Sequence, residues 1–372
     1  MLKKILEPLK QFNRYRNDKI RVIKNFIFSI YIEKIRKKTK LTPNKYKEVA
    51  IIMTDLGIGD GVVFTFLIKS LQDQGIKVTV IAESRILFLF DDLIKVDRVI
   101  KFENIKKLKK QVKNLNIDLV IDMFDINPLI EKRINIIYAL KPKHTIGFNQ
   151  TSNIFDTSII YEEFNTHVTT RIARLLDLLQ INYDKVKYHI EIPNNALNEV
   201  KTFIKNHDLT NKKIVVFNPF GSFDAKSFSY DQIESISEFL SKYDVVTIIT
   251  GENKKLININ TQHNNVIKGT FSSFESVVAL ISLCDLLISV DTSVVHVANT
   301  FNTPLISIYT NMVIGKFNSN FVWAPNYANA KQIFTKDHNH TSDGDEISKM
   351  ELHELLNEIQ NTIETDILKN RF

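Results

Sequence analysis

The residues best suited to chemistry lie in polar or glycine-rich loops that follow short apolar runs. The first such loop is Thr54-Asp55-Leu56-Gly57-Ile58-Gly59-Asp60-Gly61, and an apolar stretch with helical spacing follows it. A glycine-rich loop at a helix N-terminus brings backbone N–H groups close to a ligand and favours negative charge there. Asp60 is therefore a candidate functional carboxylate, although an Asp at this position also commonly caps a helix.

A second loop, residues 218–228, follows the apolar run Ile214–Phe217. It contains Gly221, Ser222 and Lys226. Ser229 and Gln232, just beyond it, have the spacing of a capping box, which explains those two residues structurally. Lys226 is left without a structural reason, and a lysine at this point can bind a phosphate.

A third loop begins with Asp291-Thr292-Ser293 and leads into a predicted helix that contains His296. The amides of Thr292 and Ser293 would lie at the N-terminus of this helix, which suits a pyrophosphate. Two more predicted strands end in Gly251-Glu252 and Gly269-Thr270-Phe271-Ser272. Each residue alone could cap a helix or pack in the core, as His296 could. Together the four loops predict a nucleotide-binding crevice, because parallel strands end at one edge of a sheet.

The elements that would position these loops are short β-branched runs alternating with amphipathic stretches, a pattern typical of parallel βαβ units. A helix is predicted over Val62–Gln74. The first series of predicted strands is Val49–Met53, Lys77–Ile81, Arg98–Ile100, Leu119–Asp122 and Thr145–Ile146. The second series is Ile214–Phe217, Val245–Thr250, Asn265–Lys268, Leu286–Val290 and Leu305–Tyr309.

The two series predict two Rossmann-like domains in an α/β protein. With 372 residues and about 150 residues per domain, the chain is long enough for both. The turn-rich stretch Glu191–Asn195 and the polar run Asp208–Lys213 place the boundary near residue 190. We therefore predict an N-terminal domain over residues 48–190, a C-terminal domain over 191–335 and an amphipathic C-terminal helix within 345–371.

Residues 1–47 form a strongly basic extension. They contain 15 Lys or Arg against three acidic residues, a net charge of +12, so the rest of the chain carries −5 of the +7 total. Basic residues with interleaved apolar residues at helical spacing favour an amphipathic helix on an anionic membrane surface. The alternative is a helix pair that packs on the first domain with solvated lysines. The apolar positions are Ile20, Ile23, Ile27, Ile30 and Tyr31, and the flanking basic residues are Arg21, Lys24, Lys34 and Arg36.

The amino-acid composition indicates the general class of protein. Hydrophobic residues make up 44% and charged residues 24%, as in a soluble globular protein. The longest uncharged stretch of the extension, Asn25–Ile32, is far short of the ~20 residues a membrane-crossing helix needs, and no secretory cleavage site follows. Cys284 is the single cysteine, which fits a reducing compartment. No nucleic-acid-binding motif accompanies the basic residues, so no nucleic-acid partner is expected.

Gly57-x-Gly59-x-Gly61, with Glu83 after the second strand, partly imitates a dinucleotide fingerprint. The third glycine of GxGxxG would fall at Val62, so a nicotinamide-dependent oxidoreductase is the weaker alternative.

At these same loops the chain resembles glycosyltransferase family 9, chiefly heptosyltransferases of the lipopolysaccharide inner core, over roughly residues 48–310. The segment 291–298 with Pro304 after it is similar to the family's D-[ST]-x-x-x-H-x-A pattern, and Gly59-Asp60 is similar to its L-G-D loop. The 218–228 loop resembles P-G-x-x-x-x-K-x-W, with Phe228 in place of tryptophan and an extra Phe220. Ser293 stands where many members have glycine. These departures leave a non-catalytic nucleotide-sugar-binding homologue as a further alternative.

The resemblance implies a GT-B fold of two facing domains, a donor nucleotide held mainly by the second, and a C-terminal helix that often crosses back to the first. It implies inverting, metal-independent transfer, by default of heptose from ADP-heptose to a lipid-linked core acceptor at the inner membrane, with no cofactor. Transfer needs a base and a way to stabilise the leaving diphosphate. We assign Asp60 as the base and Lys226 with the Thr292 and Ser293 amides to the diphosphate. Glu252 is assigned to the ribose, and Thr270 and Phe271 to the nucleobase. At a helix N-terminus the dipole is expected to lower the pKa of Asp60, and desolvation on domain closure would have to offset that effect for Asp60 to act as the base.

Overall fold

The fold is seen in a computed structural model of the chain. It describes residues 37–124, 131–260, 262–314, 316–335 and 345–368, and within the N-terminal extension residues 16, 19, 20, 22–24, 26, 27, 30 and 31. The parts of the predicted basic extension and C-terminal helix beyond these residues, among them Arg21, Lys34 and Arg36, lie outside the described residues.

The first domain is built on a six-stranded parallel sheet in the order β3-β2-β1-β4-β5-β6. Its central strands are buried on both faces, as expected for a parallel sheet covered by helices. The strands are β1 Glu48–Met53, β2 Lys77–Ala82, β3 Arg98–Lys101, β4 Leu119–Asp122, β5 His144–Phe148 and β6 Thr157–Ile159. The helices are α1 Ile58–Asp73, α2 Ile105–Gln111, α3 Glu131–Leu140 and α4 Thr169–Leu178.

The second domain repeats this design with a parallel sheet in the order β14-β11-β10-β7-β8-β9. Its strands are β7 Ile214–Asn218, β8 Val246–Thr250, β9 Val266–Gly269, β10 Leu286–Val290, β11 Leu305–Tyr309 and β14 Ala330–Phe334, with a small hairpin of β12 Val313–Ile314 and β13 Phe317–Asn318. Its helices are α5 Asn194–Asn206, α6 Tyr230–Ser241, α7 Asn253–Leu256, α8 Phe274–Leu283, α9 Ser293–Phe301 and α10 Ser319–Val322. The predicted two-domain α/β architecture is confirmed.

The two domains meet through α1 and α9, which pack against each other. Buried side chains of both helices belong to one apolar cluster that runs from the first sheet into the second domain, including Val63 and Leu67 on α1 and Val295 and Ala298 on α9. This shared cluster fixes the N-termini of the two helices close together.

The C-terminal segment packs on the second domain. A helical turn at Ile347–Lys349 precedes α11, His353–Thr362, which continues through a wider turn at Ile363–Ile367. Leu355, Ile359 and Ile363 are fully buried in a cluster made of second-domain side chains. The expectation that this helix crosses back to the first domain is wrong, because its apolar face completes the core on the outer side of the second sheet.

The described residues of the N-terminal extension between 16 and 31 are helical. The segment that follows contacts the residues that precede β5 and β6 in the first sheet. The N–H of Thr39 donates to Asp156 at 2.9 Å, and the Thr39 hydroxyl donates to the Lys143 carbonyl at 2.8 Å. Within the described residues, no helix combines the length and the apolar character that crossing a bilayer would require.

The position of α11 generates a stability prediction. Ile359→Ala should lower the free energy of unfolding by about 2–5 kcal/mol, the usual cost of truncating a fully buried aliphatic side chain. Hydrogen exchange measured by mass spectrometry should accelerate in the strands of the second domain and stay unchanged in β1–β6. Glu354→Ala, on the same helix, is the matched control. Faster exchange in the first sheet would contradict the packing described here.

Candidate functional site

A cleft of about 880 Å³ opens between the domains, at the carboxyl ends of both sheets. The structure brings together most of the predicted site residues, although they come from distant parts of the sequence. Those that line the cleft are Gly57, Gly59, Asp60, Gly221, Ser222, Lys226, Glu252, Phe271, Asp291, Thr292, Ser293 and His296.

Asp60 lies in the first turn of α1, and its carboxylate accepts a hydrogen bond from the Gly57 N–H at 2.5 Å. Gly57 is therefore the N-cap residue and Asp60 is the third helical residue, whose carboxylate bonds back to the N-cap N–H; the alternative that Asp60 itself is the N-cap is wrong. Burial nevertheless raises the pKa of Asp60 to about 6, and the Gly57 N–H and the charge of Arg85 only partly oppose that effect. The net effect is therefore not the lowering expected from the helix dipole, because desolvation provides the offset that the role of a base requires.

Buried charges hold the loop that precedes Asp60. Arg133, fully buried, forms an ion pair with Asp122 and donates to the Thr54 carbonyl at 2.5 Å. Arg85 donates to the Leu56 carbonyl from the cleft side. Asp55 takes the left-handed backbone conformation, with φ of 64°. Removing one partner of a buried pair leaves an uncompensated charge, so this arrangement strongly favours a single loop conformation.

Lys226 reaches the cleft floor from the loop after β7. Its ammonium forms an ion pair with Asp291, and both side chains are only 10% exposed. The loop folds tightly, because a Cβ on Gly221 would lie 2.5 Å from the Lys226 carbonyl oxygen. The predicted capping box is present, since the Gln232 N–H donates to the Ser229 hydroxyl at 3.2 Å and the Ser229 N–H to the Gln232 amide at 2.9 Å.

The N-terminus of α9 lies beside Lys226. Thr292 is its N-cap residue and makes no side-chain capping bond; its hydroxyl instead accepts from Asn218 at 3.2 Å. Asp291 is engaged with Lys226 and does not cap the helix. The partial positive charge of this N-terminus and the Lys226 ammonium therefore meet at one place, which suits an anion.

His296 stands on α9 at the contact between the domains. Its ring is buried and lies 3.1 Å from where a Cβ on Gly59 would be, so glycine at 59 permits the close approach of α1 to α9. The rings of Tyr188 and Trp323 pack edge-on against it, with centroids 6.3 and 6.1 Å away. Burial lowers the pKa of His296 to about 3, so the imidazole is neutral at physiological pH.

A second cavity of about 1050 Å³ lies on the other side of Asp60. It shares Asp60, Ser319 and Trp323 with the first cleft. Its walls are aromatic and carry charges of both signs: the Arg171 guanidinium lies 4.5 Å from the ring centroid of Tyr161 and 4.3 Å from that of Phe317, and Asp55 and Glu162 also line the cavity. A carboxylate with a raised pKa thus separates two cavities, each large enough for a ligand.

Two predicted residues are placed away from the cleft. Gly61 is buried, and a Cβ there would lie 2.6 Å from Leu89, so this glycine serves helix packing. Thr270 is exposed and does not line the cleft, because the chain turns after β9 so that Phe271 is the residue that lines it. Glu252 lines the cleft rim with an exposed side chain, and Lys254 beside it holds its pKa below the usual range.

Several residues that line the cleft were not predicted as site residues, among them Arg85, Phe220 and Lys255. The Phe220 ring covers Gly251, where a Cβ would lie 2.6 Å from it, and the Lys255 ammonium is 5.1 Å from the Phe220 ring centroid. The insertion of Phe220 before Gly221 was the available signal. Arg85 and Lys255 lie shortly after strands, at positions where exposed basic residues are common. The sequence therefore contained no signal that would have identified either residue as part of the site.

Comparison with known proteins agrees with this geometry. The family model described as "Glycosyltransferase family 9 (heptosyltransferase)" matches residues 105–352. A curated relative, "Putative lipopolysaccharide heptosyltransferase 4" of Escherichia coli (strain K12), is 26% identical over 335 residues, which are 86% of this chain and 89% of the relative.

Solved structures share the fold. A glycosyltransferase of family 9 from Veillonella parvula DSM 2008 superposes with a TM-score of 0.70 at 15% identity, covering 87% of this chain and 98% of that one. The E. coli ADP-heptose lps heptosyltransferase II superposes with a TM-score of 0.64 at 15% identity, covering 86% and 98%. With two parallel-sheet domains and a family match over most of its length, this chain has the GT-B fold and belongs to glycosyltransferase family 9.

Proposed function

We propose that this protein transfers heptose from ADP-heptose, with inversion, to a lipopolysaccharide or lipooligosaccharide core acceptor at the cytoplasmic face of the inner membrane. The observation that carries the proposal is the position of Asp60 between two cavities, one with Lys226 and the start of α9 at its floor and one with aromatic walls that carry charges of both signs. The heptose and its ADP carrier are taken from what the names of the two E. coli relatives say of those proteins.

In the proposed reaction, Asp60 removes the proton from an acceptor hydroxyl held in the second cavity. The hydroxyl oxygen bonds to the anomeric carbon as the bond from that carbon to the diphosphate breaks, and ADP leaves with the electron pair. A single displacement from the side opposite the leaving group inverts the anomeric centre. The raised pKa of Asp60 suits this role, because a base is most effective when its pKa lies near the working pH.

The leaving diphosphate is assigned to Lys226 and the Thr292 and Ser293 amides at the start of α9. Asp291 positions Lys226 through their ion pair. These groups compensate the charge on the leaving group, so the proposed reaction needs no metal ion and should proceed in EDTA. Glu252 is assigned to the ribose and Phe271 to the nucleobase, with Phe220 beside Gly251 as a second aromatic surface for the base.

Asp60→Asn tests the base. Release of ADP from ADP-heptose in the presence of acceptor should fall by about 10²–10⁴-fold, the usual contribution of a positioned general base. ADP binding should be retained. In the wild type, the rate should rise with pH through an apparent pKa of about 6, because only the ionised carboxylate accepts a proton. Asp73→Asn, at the exposed end of the same helix, is the control.

The stability and turnover of the same variant distinguish a catalytic role of Asp60 from a purely capping role. Because the folded pKa of Asp60 lies above its usual value of 3.8, ionisation destabilises the folded protein as pH rises through about 6. Asp60→Asn should therefore melt a few degrees above the wild type at pH 7.5 and show no gain near pH 4. Wild-type turnover in Asp60→Asn would show that Asp60 only caps α1. No transfer by the wild type would favour a non-catalytic homologue.

Lys226→Ala tests whether Lys226 binds the leaving diphosphate. We expect kcat to fall by about 10²–10³-fold, the scale for losing one preorganised donor to transition-state charge. ADP should raise the melting temperature of the wild type more than UDP, GDP or CMP, and this shift should shrink in the variant. Lys254→Ala removes an exposed lysine that pairs with Glu252 near the cleft and should leave kcat unchanged. Unchanged turnover in Lys226→Ala would refute the assignment.

Membrane association is proposed for the basic extension. Ile20, Ile23, Ile27 and Tyr31 are between 43 and 62% exposed on described helical residues, which is unusual for large apolar side chains. An apolar stripe beside basic residues suits the surface of an anionic bilayer.

Co-sedimentation with vesicles checks this proposal. The protein should pellet with vesicles that contain anionic lipid, and less so at high salt, because the charge attraction is screened. A double variant, Ile23→Glu with Ile27→Glu, should abolish pelleting. Ile257→Glu, at an apolar side chain of the second domain that is 76% exposed, should not. Failure of the wild type to pellet would support packing of the extension on the protein instead.

A further inference from the structure

A separate cavity of about 430 Å³ lies behind the cleft, where the chain crosses from the first domain to the second. Thr65, Ile68 and Lys69 on α1 line one side, and Thr300 and Phe301 at the end of α9 line another. The crossing segment 187–191 closes it. Neither the family assignment nor the proposed transfer reaction uses this cavity.

The rim of the cavity is cationic. Lys69, Lys95, Lys187 and His189 line it, whereas Glu191 is the only acidic residue among the lining residues. Lys69 pairs with Asp73 and Lys95 with Glu191, both at exposed positions. No acidic side chain in the described part of the chain pairs with Lys187. Burial lowers the pKa of His189, and the charges of Lys187 and Lys69 lower it further, with a smaller opposing effect of Asp73.

The floor of the cavity is apolar. Ile68, Leu93, Ile94 and Tyr188 are almost fully buried and contribute hydrophobic surface beneath the lysines. A cationic rim above an apolar floor complements a molecule with an anionic group on a short apolar body. A free inorganic anion would leave the floor unfilled, and a neutral apolar molecule would leave Lys187 without a counter-charge, since Lys69 and Lys95 are already paired with Asp73 and Glu191.

This cavity touches the far parts of both helices that carry the predicted chemistry. Helix α1 begins with the turn that bears Asp60 and reaches the cavity through Thr65 and Lys69; α9 begins at Ser293 and ends there. The crossing segment is attached to α1, since the His189 N–H donates to the Thr65 hydroxyl at 2.9 Å. Tyr188 packs edge-on against His296, which lines the cleft. An occupant would therefore contact α1, the end of α9 and the segment that crosses between the domains.

We propose that this cavity is a regulatory site for an organic phosphate monoester with a short apolar group, and that its occupancy strengthens donor binding in the cleft. The occupant would bridge the lysines of both the first domain and the crossing segment, which favours the packed arrangement of α1 and α9. A ligand that binds one arrangement better than another shifts the equilibrium toward it. The coupling part of the proposal rests on ADP being the donor nucleotide.

The test uses n-hexyl phosphate as the probe, with inorganic phosphate and n-hexanol as partial probes, and calorimetry on the full chain. Hexyl phosphate should bind at least ten-fold more tightly than either partial probe. Lys187→Glu should abolish binding and Lys187→Met should weaken it, whereas Lys185→Glu, which makes the same charge change two residues earlier outside the cavity, should not. Lys226→Ala should also leave it unchanged, which places the probe outside the cleft. Binding of dihexanoyl phosphatidic acid is compared with binding of hexyl phosphate to identify the source of the ligand. Tighter binding of the phosphatidic acid indicates a lipid, and tighter binding of hexyl phosphate indicates a soluble phosphate ester.

Saturating hexyl phosphate should tighten ADP binding by about five-fold or more, and ADP should tighten hexyl phosphate binding by the same factor, because such coupling is reciprocal. Lys187→Glu should abolish the coupling without weakening ADP binding itself. Equal binding of hexyl phosphate by the wild type and Lys187→Glu would overturn the site, and an unchanged ADP affinity would overturn the regulation. Absence of ADP binding would refute the proposed donor, while the binding arm would still decide whether the cavity holds a phosphate ester.

Discussion

The close contact between the N-terminal halves of α1 and α9 is the constraint on which the site depends. Glycine at 59 allows it, because any side chain there would meet the His296 ring at about the tightest distance that real contacts show. The turn that bears Asp60 comes from the first domain, and the helix start beside Lys226 comes from the second. Their register is thus set by helix packing in a shared core and not by flexible loops, which is how a catalytic constellation is held precisely.

This contact also sets the electrostatics of the cleft. At a helix start, an exposed aspartate would be stabilised in its charged form by the helix dipole and a backbone N–H. Apposition of the domains removes water from Asp60, and desolvation prevails, so its pKa rises to about 6. The same burial keeps His296 neutral. Asp60 still lines both cavities, so a carboxylate with a raised pKa faces the ligand space beside an uncharged imidazole, as a proton acceptor would require.

Much of this arrangement could be predicted from sequence, since parallel strands place their carboxyl ends at one edge. That rule alone assembled Lys226, Asp291 and Thr292 from loops more than 60 residues apart. The rule says nothing of which side chain in a loop points to the ligand, so Thr270 was predicted in the cleft although Phe271 lines it. Gly61 was predicted with Gly57 and Gly59 because of their spacing, yet it packs against Leu89 and does not line the cleft.

The packing of α11 could not be predicted from the sequence. Hydrophobic periodicity shows that a helix has an apolar face, but it does not show which sheet that face packs against. Strands β6 and β14 were not predicted, because one is three residues long and the other is interrupted by the adjacent polar residues Lys331 and Gln332.

Charge compensation explains why the cleft is ready for an anion before one arrives. Lys226 is almost fully buried, and its ion pair with the Asp291 carboxylate holds the side chain in place at the cleft floor. The anion then meets an ammonium whose position is already fixed, so little reorganisation is needed when charge develops on the leaving group. In the first domain, Arg133 holds the loop that precedes Asp60. It forms an ion pair with Asp122 and donates a hydrogen bond to the Thr54 carbonyl. Each domain thus carries one buried ion pair at the end of its sheet, and these pairs position the loops that face each other across the cleft.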